Sequence, residues 1–253
     1  MPAFQRSKKT PPHVLYEAFL DALFPPHCAG CALWCRGSFC ARCTPLLRPI
    51  LAPLCNICGA PFDPLAYSAT ICAPCRAAAP PFRAARSVWH FEGPPRAAIH
   101  RFKYRQKSAL AARLAPYLAQ KLEEDAVLQG FAPQFLVPVP LHRTRLKNRG
   151  FNQSLLLAAE LGRLVGVETR EILCRTRDTA PQVELGRDER AKNVRGAFAI
   201  NSAKGHNPND WGGVPILLID DVFTTGATLG EAAKILQKAG AGEICALTLG
   251  RQA

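Results

Sequence analysis

Cysteines crowded into one short stretch constrain this chain more than any other feature. Nine of its eleven cysteines lie between residues 28 and 75, and eight of these form C-x2-C pairs. The pairs are Cys28/Cys31, Cys40/Cys43, Cys55/Cys58 and Cys72/Cys75. This spacing lets two thiolates on a tight turn face one metal ion, and two such pairs complete a tetrahedral zinc site. The pattern therefore predicts two four-cysteine zinc sites.

The order of the pairs along the chain suggests one site made by the first two pairs and another made by the last two. A cross-braced arrangement, in which alternate pairs share a metal, also fits the spacing. In both arrangements four thiolates leave no coordination position open, so we expect both zinc ions to be structural. Their binding would supply the folding energy that so small a module lacks.

Disulfides and redox-active C-x2-C pairs are the alternatives for these cysteines. We expect no export signal ahead of them, and the cytoplasm keeps thiols reduced, which disfavours disulfides. Four C-x2-C copies within about fifty residues exceed what redox chemistry needs. Cys35 is a less favoured substitute ligand, while Cys174 and Cys245 stand in apolar surroundings where buried packing is expected.

The rest of the chain alternates between strand-like and helical patterns. Pro80-Pro81 marks a boundary, so we expect an N-terminal helix and double zinc ribbon over residues 1–80 and a second domain over 81–253. We predict strands at 87–91, 135–137, 172–175, 215–219 and 243–249, and helices at 97–125 with a break at Pro116, 155–165 and 228–239. This alternation predicts an α/β fold with a parallel sheet and flanking helices.

The composition is that of a soluble globular protein, with 48% hydrophobic and 20% charged residues. A net charge of +13 favours anionic partners such as nucleic acid, phosphorylated small molecules or acidic membranes. The apolar run 214–219 is far shorter than the roughly 20 residues of a membrane span. Residues 14–23 show one apolar helical face, but Glu17 and Asp21 interrupt them, which disfavours a signal peptide. We therefore expect a cytoplasmic protein without a membrane span.

The run from Ile216 to Thr228 carries the clearest chemistry in the chain. Four apolar residues predict a buried strand, and Asp220 and Asp221 follow at its C-terminal end, where open α/β sheets place their ligand crevice. The T-T-G-A-T sequence from Thr224 to Thr228 then turns into a helix. Its hydroxyls and the free N–H groups of the first helical turn can cradle a phosphate. A buried strand whose acidic pair merely caps the next helix is the alternative.

This run resembles the 5-phosphoribosyl-1-pyrophosphate (PRPP) signature of the type I phosphoribosyltransferases. The resemblance implies that Asp220 and Asp221 hold the ribose hydroxyls, as the candidate catalytic residues, and that residues 224–228 hold the 5-phosphate. The implied PRPP-binding set is Asp220, Asp221, Val222, Thr224, Thr225, Gly226, Ala227 and Thr228.

A densely basic segment follows the strand-like Val137-Pro138-Val139-Pro140. We regard it as a loop whose guanidinium and ammonium groups could meet a pyrophosphate. Its candidate residues are Arg143, Arg145, Lys147 and Arg149. A solvated basic loop and a nucleic-acid contact are the alternatives. Residues 177–198 form a polar segment that is a candidate for the flexible hood of phosphoribosyltransferases, or else an ordinary surface loop.

Over nearly its whole length the chain resembles the competence protein F (ComF) family. The matching residues are the cysteine pairs, Phe102-Lys103-Tyr104, residues 137–140 and 149–153, Gln182, residues 190–194 and 196–198, and residues 220–228. The chain departs from the pattern at Cys35 and in the longer polar stretch 202–213. Membership implies a double zinc ribbon fused to a type I phosphoribosyltransferase domain and a role in natural transformation by single-stranded DNA. The amidophosphoribosyltransferase label that the family often carries is disfavoured, because the chain shows neither a glutaminase domain nor an N-terminal nucleophilic cysteine.

Two functions compete at this point. The first is Mg²⁺-dependent transfer of a phosphoribosyl group from PRPP to an unidentified acceptor, with release of pyrophosphate. The second is a non-catalytic factor that binds single-stranded DNA or a competence helicase and uses PRPP only as a ligand. Its candidate DNA contacts are Arg96, Arg101, Lys103, Arg105 and Lys107, with Phe102 and Tyr104 as stacking residues, although core packing is expected for Phe102.

Overall fold

A computed structural model describes residues 26–63, 70–104, 109–178, 187–205 and 212–252 of the protein. The predicted helix at 14–23 lies outside these residues. Within them, no helix is long and apolar enough to cross a bilayer.

Strands and helices alternate through the described residues. In chain order they are α1 (Ala73–Ala77), β1 (Ala84–His90), α2 (Gly93–Tyr104), α3 (Leu110–Glu124), β2 (Phe135–Pro138), α4 (Arg143–Arg149), α5 (Gln153–Val165), β3 (Glu168–Thr169), β4 (Leu173–Arg175), α6 (Arg187–Val194), β5 (Phe198–Ile200), β6 (Ile216–Phe223), α7 (Ala227–Lys238) and β7 (Ile244–Arg251). A parallel sheet has the order β1-β7-β6-β2-β3, and β4 and β5 form a separate antiparallel pair. The predicted parallel α/β architecture is confirmed.

The structure corrects the predictions for residues 97–125 and 172–175. The helical stretch 97–125 comprises α2 and α3, and Pro116 lies inside α3 rather than at a break. Burial of the adjacent Leu114 and Ala115 compensates for the one helical hydrogen bond that a proline removes. The predicted strand at 172–175 exists as β4, but it pairs antiparallel with β5 outside the main sheet.

The segment between the two groups of cysteines covers the outer edge of the sheet. Pro49 forms an antiparallel bridge with Trp89 of β1, the Ile50 N–H donates to the Val88 carbonyl (3.0 Å), and the His90 N–H donates to the Arg48 carbonyl (2.9 Å). This pairing satisfies the backbone groups that an edge strand would otherwise expose.

The two cysteine groups pack on opposite faces of the sheet. Cys28 and Cys43 belong to the apolar cluster that contains Leu217 of β6, whereas Cys55 and Cys58 belong to the cluster that contains its neighbour Leu218. Successive strand residues point to opposite faces of a sheet. The first ribbon, which contains Cys28 and Cys43, and the second ribbon, which contains Cys55 and Cys58, therefore lie on opposite faces.

The sulfur atoms form two separate groups of four. One contains Cys28, Cys31, Cys40 and Cys43 and the other Cys55, Cys58, Cys72 and Cys75, with the sulfurs in each group within 4.8 Å of one another. The consecutive arrangement is therefore the observed one.

The distances between sulfurs fit zinc and not disulfides. The sulfurs of Cys31 and Cys40 are 3.6 Å apart, as are those of Cys58 and Cys72. A tetrahedral site with Zn–S bonds of about 2.3 Å requires sulfurs about 3.8 Å apart, whereas a disulfide bond is about 2.05 Å long. These residues would hold two structural zinc ions, each in a closed thiolate shell.

Backbone amides prepare one thiolate in each site for metal binding. The Cys40 N–H points at the Cys28 sulfur (3.3 Å), and the Cys72 N–H points at the Cys55 sulfur (3.4 Å). Burial opposes ionisation of Cys28 and Cys55, but backbone N–H groups outweigh it and lower the pKa of each thiol to about 6.

The second ribbon is fixed to the sheet by a buried ion pair. The Arg86 Nε of β1 lies 2.9 and 3.0 Å from the carboxylate oxygens of Asp125, and its Nη1 donates to the carbonyls of Asn56 (3.2 Å) and Ala85 (2.8 Å). The Arg86 side chain is 2% exposed and that of Asp125 is 7% exposed. Arg86 therefore links a metal-binding turn, the first strand and the end of α3.

The turns that follow Cys31 and Cys58 generate a first prediction, because both need a left-handed residue. Ala32 has φ +64° and Gly59 has φ +68°. We expect Ala32→Gly to raise stability by about 0.5 kcal/mol, since glycine relieves the left-handed strain. Gly59→Ala should lower it by at least about 2 kcal/mol, because its methyl group would lie 2.5 Å from the Ala85 carbonyl oxygen. Urea unfolding at a fixed zinc concentration measures both changes in stability. A loss of stability in Ala32→Gly, or a gain in Gly59→Ala, would contradict the geometry.

The buried ion pair generates a second prediction. Asp125→Leu should destabilise the protein by about 3–5 kcal/mol, because Arg86 would keep an uncompensated buried charge. Arg86→Met combined with Asp125→Leu should cost about 1–3 kcal/mol less than the two single losses added together. As a control, Glu243→Gln breaks the exposed Arg83–Glu243 pair (2.9 Å) and should cost under about 1 kcal/mol. Additive losses in urea unfolding would show that Arg86 and Asp125 are not coupled.

Candidate functional site

A crevice opens where β2 and β6 lie side by side. Helix α5, which follows β2 and the short α4, places Leu157 in the same apolar cluster as Leu217. Helix α7, which follows β6, places Leu229 in the same cluster as Leu218. The two helices therefore leave for opposite faces of the sheet. Open α/β sheets bind their ligands at such a switch point, beyond the carboxyl ends of the strands.

Both aspartates lie inside β6, which is longer than predicted. The strand continues to Phe223 through its pairing with β7, whereas its pairing with β2 ends at Ile219. Asp220 and Asp221 therefore occupy the part of the strand that has lost its neighbour on the β2 side, so they face the crevice while β7 still holds the backbone.

Asp220 is held by two hydrogen bonds. One oxygen of its carboxylate accepts from the Ser154 hydroxyl (2.9 Å) and from the Asp221 N–H (2.9 Å). Burial, followed by the neighbouring charge of Asp221, raises the pKa of Asp220 to about 7, although these donors and Lys103 partly oppose the rise. The group therefore changes its charge near neutral pH.

Asp221 is held by a cation and an amide. Its carboxylate lies 3.0 Å from the Lys103 Nζ and accepts from the Gln153 Nε2 (3.3 Å). The Oε1 atom of the same amide is buried and has no hydrogen-bond partner among the residues that the structure describes. Gln153 thus leaves its own acceptor unsatisfied while it orients Asp221.

The position of Gln153 and Ser154 follows from the start of α5. The Asn152 side chain caps this helix by accepting from the Ser154 N–H (3.1 Å), and its amide donates to the Val139 carbonyl (3.1 Å). The cap therefore ties the first residues of α5 to the chain that leaves β2. The sequence contained this signal in Phe151-Asn152-Gln153-Ser154, but Gln153 and Ser154 were not predicted as site residues.

The turn after β6 has the geometry that a phosphate site needs. Gly226 has φ +80° and caps α7, and a methyl group there would lie 2.7 Å from the Cζ atom of Phe223. Thr225 Oγ1 accepts from the Ala227 N–H (3.4 Å). Thr224 and Thr228 line the crevice. The turn thus presents hydroxyls and the N-terminus of a helix to the same space as the two aspartates.

The crevice encloses a cavity of about 330 Å³. Of the predicted PRPP-binding residues, Asp220, Asp221, Val222, Thr224 and Thr228 line it, while Thr225, Gly226 and Ala227 form the turn beside it. Among the described residues, the basic side chains that line it are Arg96, Lys103, Arg145, Arg149 and Arg175.

The predicted basic loop is instead a helix. Residues 143–149 form α4, capped by His142 at its start and by Gly150 with φ +84° at its end. Helical periodicity places Arg145 and Arg149 on one face, toward the cavity, and Arg143 and Lys147 on another. Of these four candidates, Arg145 and Arg149 line the cavity, and Arg143 and Lys147 do not.

The structure places several of the residues that were predicted to contact DNA. Arg96 and Lys103 line the cavity, and Arg101 Nη1 donates to the carbonyls of Cys28 (3.1 Å) and Ala29 (2.9 Å) in the first ribbon. Phe102 is completely buried, which confirms its predicted core packing. Arg105 and Lys107 lie outside the described residues.

Sequence reasoning missed the aromatic end of the cavity. Phe91 stacks on His100 with ring centroids 5.8 Å apart, and both line the cavity. Burial, followed by the charges of Lys103 and Arg96, lowers the pKa of His100. The residues come from the end of β1 and from α2, so no local motif joins them to Asp220.

The described parts of the predicted hood approach α4. Asp178 lies 3.7 Å from the Arg145 Nε and 3.5 Å from the His142 Nδ1, and Arg177 Nη2 donates to the Arg195 carbonyl (2.7 Å). Gln182 and its neighbours at 179–186 lie outside the described residues, so the hood remains a prediction.

The raised pKa of Asp220 generates a third prediction. An unfolded aspartate ionises near pH 3.8, whereas folded Asp220 keeps its proton to about pH 7. Between these values the folded state binds the extra proton, so this group makes stability fall as pH rises. We expect the melting temperature of the wild type to fall relative to that of Asp220→Asn between pH 5 and 8. Exposed Glu123, replaced by Gln, is the control and should show a constant difference. The Glu123→Gln control shows whether zinc loss at low pH affects the variants alike. A constant difference for Asp220→Asn would exclude the raised pKa.

Comparisons with known proteins agree with this architecture. Residues 19–76 match the model of the double zinc ribbon domain. Competence protein F of Haemophilus influenzae is 31% identical over 86% of this chain and 92% of its own length. DNA utilization protein YhgH of Salmonella typhimurium is 32% identical over 83% of this chain and 88% of its own.

Solved structures show a weaker likeness. The match to the adenine phosphoribosyltransferase of Thermoanaerobacter pseudethanolicus covers 58% of this chain and 83% of that enzyme, at 16% identity and a TM-score of 0.35. The sequence identity to competence protein F, sustained over most of both chains, is decisive. The chain belongs to the competence protein F family.

Proposed function

We propose that the protein binds PRPP in the crevice between β2 and β6. The observation that carries this proposal is the placement of Asp220 and Asp221 beside a phosphate-type turn in one cationic cavity. A strand whose acidic pair only caps a helix would not need this arrangement. Neither carboxylate caps α7, whose N-cap residue is Gly226.

The two aspartates suit the ribose. Adjacent carboxylates that are fixed by Ser154, Gln153 and Lys103 offer acceptors for two neighbouring hydroxyls. Thr224, Thr228 and the first N–H groups of α7 suit the dianionic 5-phosphate, because hydroxyls and a helix N-terminus both stabilise an anion.

The remaining cations suit the pyrophosphate. Arg145 and Arg149 of α4 and Lys103 of α2 line the cavity, and guanidinium groups bind phosphate oxygens through paired hydrogen bonds. Mg²⁺, when bound with PRPP, would neutralise part of the phosphate charge, as hard cations do with phosphate oxygens. Five basic side chains outnumber two carboxylates in the described lining, which favours a ligand as anionic as PRPP.

The proposed reaction is transfer of the phosphoribosyl group to a nucleophile of unidentified structure. The bond between ribose C1 and the pyrophosphate oxygen breaks, pyrophosphate keeps the electron pair, and C1 forms a bond to the acceptor, which releases its proton to solvent. The cations of the cavity would stabilise the departing pyrophosphate electrostatically.

The names of the relatives support a cellular role in natural competence. One relative is named for competence and the other for DNA utilization. We propose that this protein acts in the cytoplasm, where reduced thiols can hold zinc, on processes that handle single-stranded DNA. A non-catalytic DNA-binding or helicase-partner role is the alternative. Arg101, one of its candidate contacts, already donates from Nη1 to the first ribbon.

A fourth prediction tests PRPP binding. Calorimetric titration of the zinc-loaded protein with PRPP should show binding that strengthens with Mg²⁺. Asp221→Asn should weaken PRPP binding by about tenfold to a hundredfold. A ribose hydroxyl would lose its charged acceptor, and Lys103 would lose the carboxylate that it pairs with. Glu168→Gln, a change at an exposed carboxylate paired with Arg170 (2.8 Å), is the matched control and should leave affinity unchanged.

The outcomes separate the competing functions. Binding that weakens in Asp221→Asn but not in Glu168→Gln supports the site and justifies a screen of acceptors by pyrophosphate release. If the intact protein binds no PRPP at millimolar concentration with Mg²⁺, the proposal fails and the DNA-binding alternative takes first place.

A further inference from the structure

The last residue of β7 contacts a metal ligand of the second ribbon. Nη1 of Arg251 donates to the carbonyl oxygen of Cys58 (2.7 Å), and its Nη2 lies 3.7 Å from the Cys58 sulfur. The sulfur of Cys58 belongs to the second four-cysteine group. Arg251 thus touches both the backbone and the sulfur of one zinc ligand.

The same guanidinium lies against the aromatic ring at the end of β6. The Arg251 Cζ is 4.3 Å from the centroid of the Phe223 ring, and Phe223 is 3% exposed. A cation over an aromatic face is an attractive contact that strengthens when it is shielded from water. The backbone reinforces it, since the Gln252 N–H donates to the Phe223 carbonyl (2.9 Å).

The Phe223 ring in turn forms the floor of the turn at Gly226. A methyl group at Gly226 would lie 2.7 Å from Cζ of that ring and 3.3 Å from its Cε2. The left-handed backbone of Gly226 therefore rests directly on the ring that Arg251 holds. A continuous chain of contacts runs from Cys58 through Arg251 and Phe223 to Gly226.

We propose that Arg251 is a positioning residue that couples the second zinc site to binding of the 5-phosphate. Arg251 does not line the cavity and acts through Phe223, on which the turn rests. The inference depends on the proposed PRPP site, because it concerns the turn that would hold the 5-phosphate of that ligand.

Charge explains why an arginine suits this place. A zinc ion with four thiolates has a net charge of −2, and a guanidinium near one sulfur compensates part of it. Lysine keeps a cation that can reach the Cys58 carbonyl, but it lacks the planar group that stacks on Phe223. Arg251→Lys should therefore retain part of the coupling.

The first ribbon provides a matched control. Arg113 of α3 is also a half-buried arginine that donates to ribbon carbonyls, those of His27 (2.6 Å) and Gly37. It does not line the cavity. Arg113→Met removes the same kind of clamp from the ribbon that does not contact the turn.

The experiment compares two fragments of PRPP that occupy different parts of the site. Ribose 5-phosphate requires the turn at Gly226, whereas pyrophosphate requires only the cations of α2 and α4. Calorimetry with each fragment is run on the wild type, Arg251→Met, Arg251→Lys and Arg113→Met, and zinc content is measured for each protein. We expect Arg251→Met to weaken ribose 5-phosphate by about tenfold and pyrophosphate by less than about twofold. Arg251→Lys should lie between this variant and the wild type, and Arg113→Met should match the wild type.

The outcomes distinguish this inference from the proposed function. If ribose 5-phosphate affinity is unchanged in Arg251→Met, or falls equally with pyrophosphate affinity, Arg251 has no specific positioning role. If Arg251→Met does not fold, Arg251→Lys decides by the same selective loss. If the wild type binds neither ribose 5-phosphate nor PRPP, the proposed function is wrong, and the coupling that depends on it is wrong as well.

Discussion

The buried charge of Arg86 is the constraint on which the rest of the structure depends. A guanidinium with 2% exposure is tolerated only where protein groups replace its hydration. Those groups come from three places that are distant in the chain: the Asp125 carboxylate, the Asn56 carbonyl in a metal-binding turn, and the Ala85 carbonyl of its own strand. The requirement to surround one charge therefore fixes how the second ribbon, β1 and the end of α3 meet.

The linker at 48–50 extends this arrangement to the other face. Because it pairs with β1, the ribbon before it lies on one face of the sheet and the ribbon after it on the other. Each zinc site then packs into an apolar cluster that also holds the central strand β6. The metal sites thus brace the same sheet that presents Asp220 and Asp221, and they lie outside the cavity itself.

Local patterns predicted much of this protein, and long-range contacts account for the remainder. The cysteine spacing predicted both metal sites, and the run at 216–228 predicted the strand, turn and helix that carry the aspartates, because each feature is contained in a few consecutive residues. Lys103 was predicted to contact DNA because its neighbours in the sequence are basic. Its contact with Asp221 was not predicted, because only the fold brings these two residues together. Helix α4 was likewise not predicted, because basic residues lie on both of its faces and leave no amphipathic pattern.

The place of β1 in the sheet has a consequence for the order of assembly. Among the described strands, β1 pairs with β7 alone in the parallel sheet. The residues of β7 come some 160 positions later, as in the pairing of Ala84 with Cys245. Contacts this distant in the chain form slowly, because a long loop must close first. The cysteine sites close over short loops and can form as soon as they leave the ribosome. Metal capture can therefore organise the front of the chain during synthesis, but the sheet is completed only when Arg251 has been added.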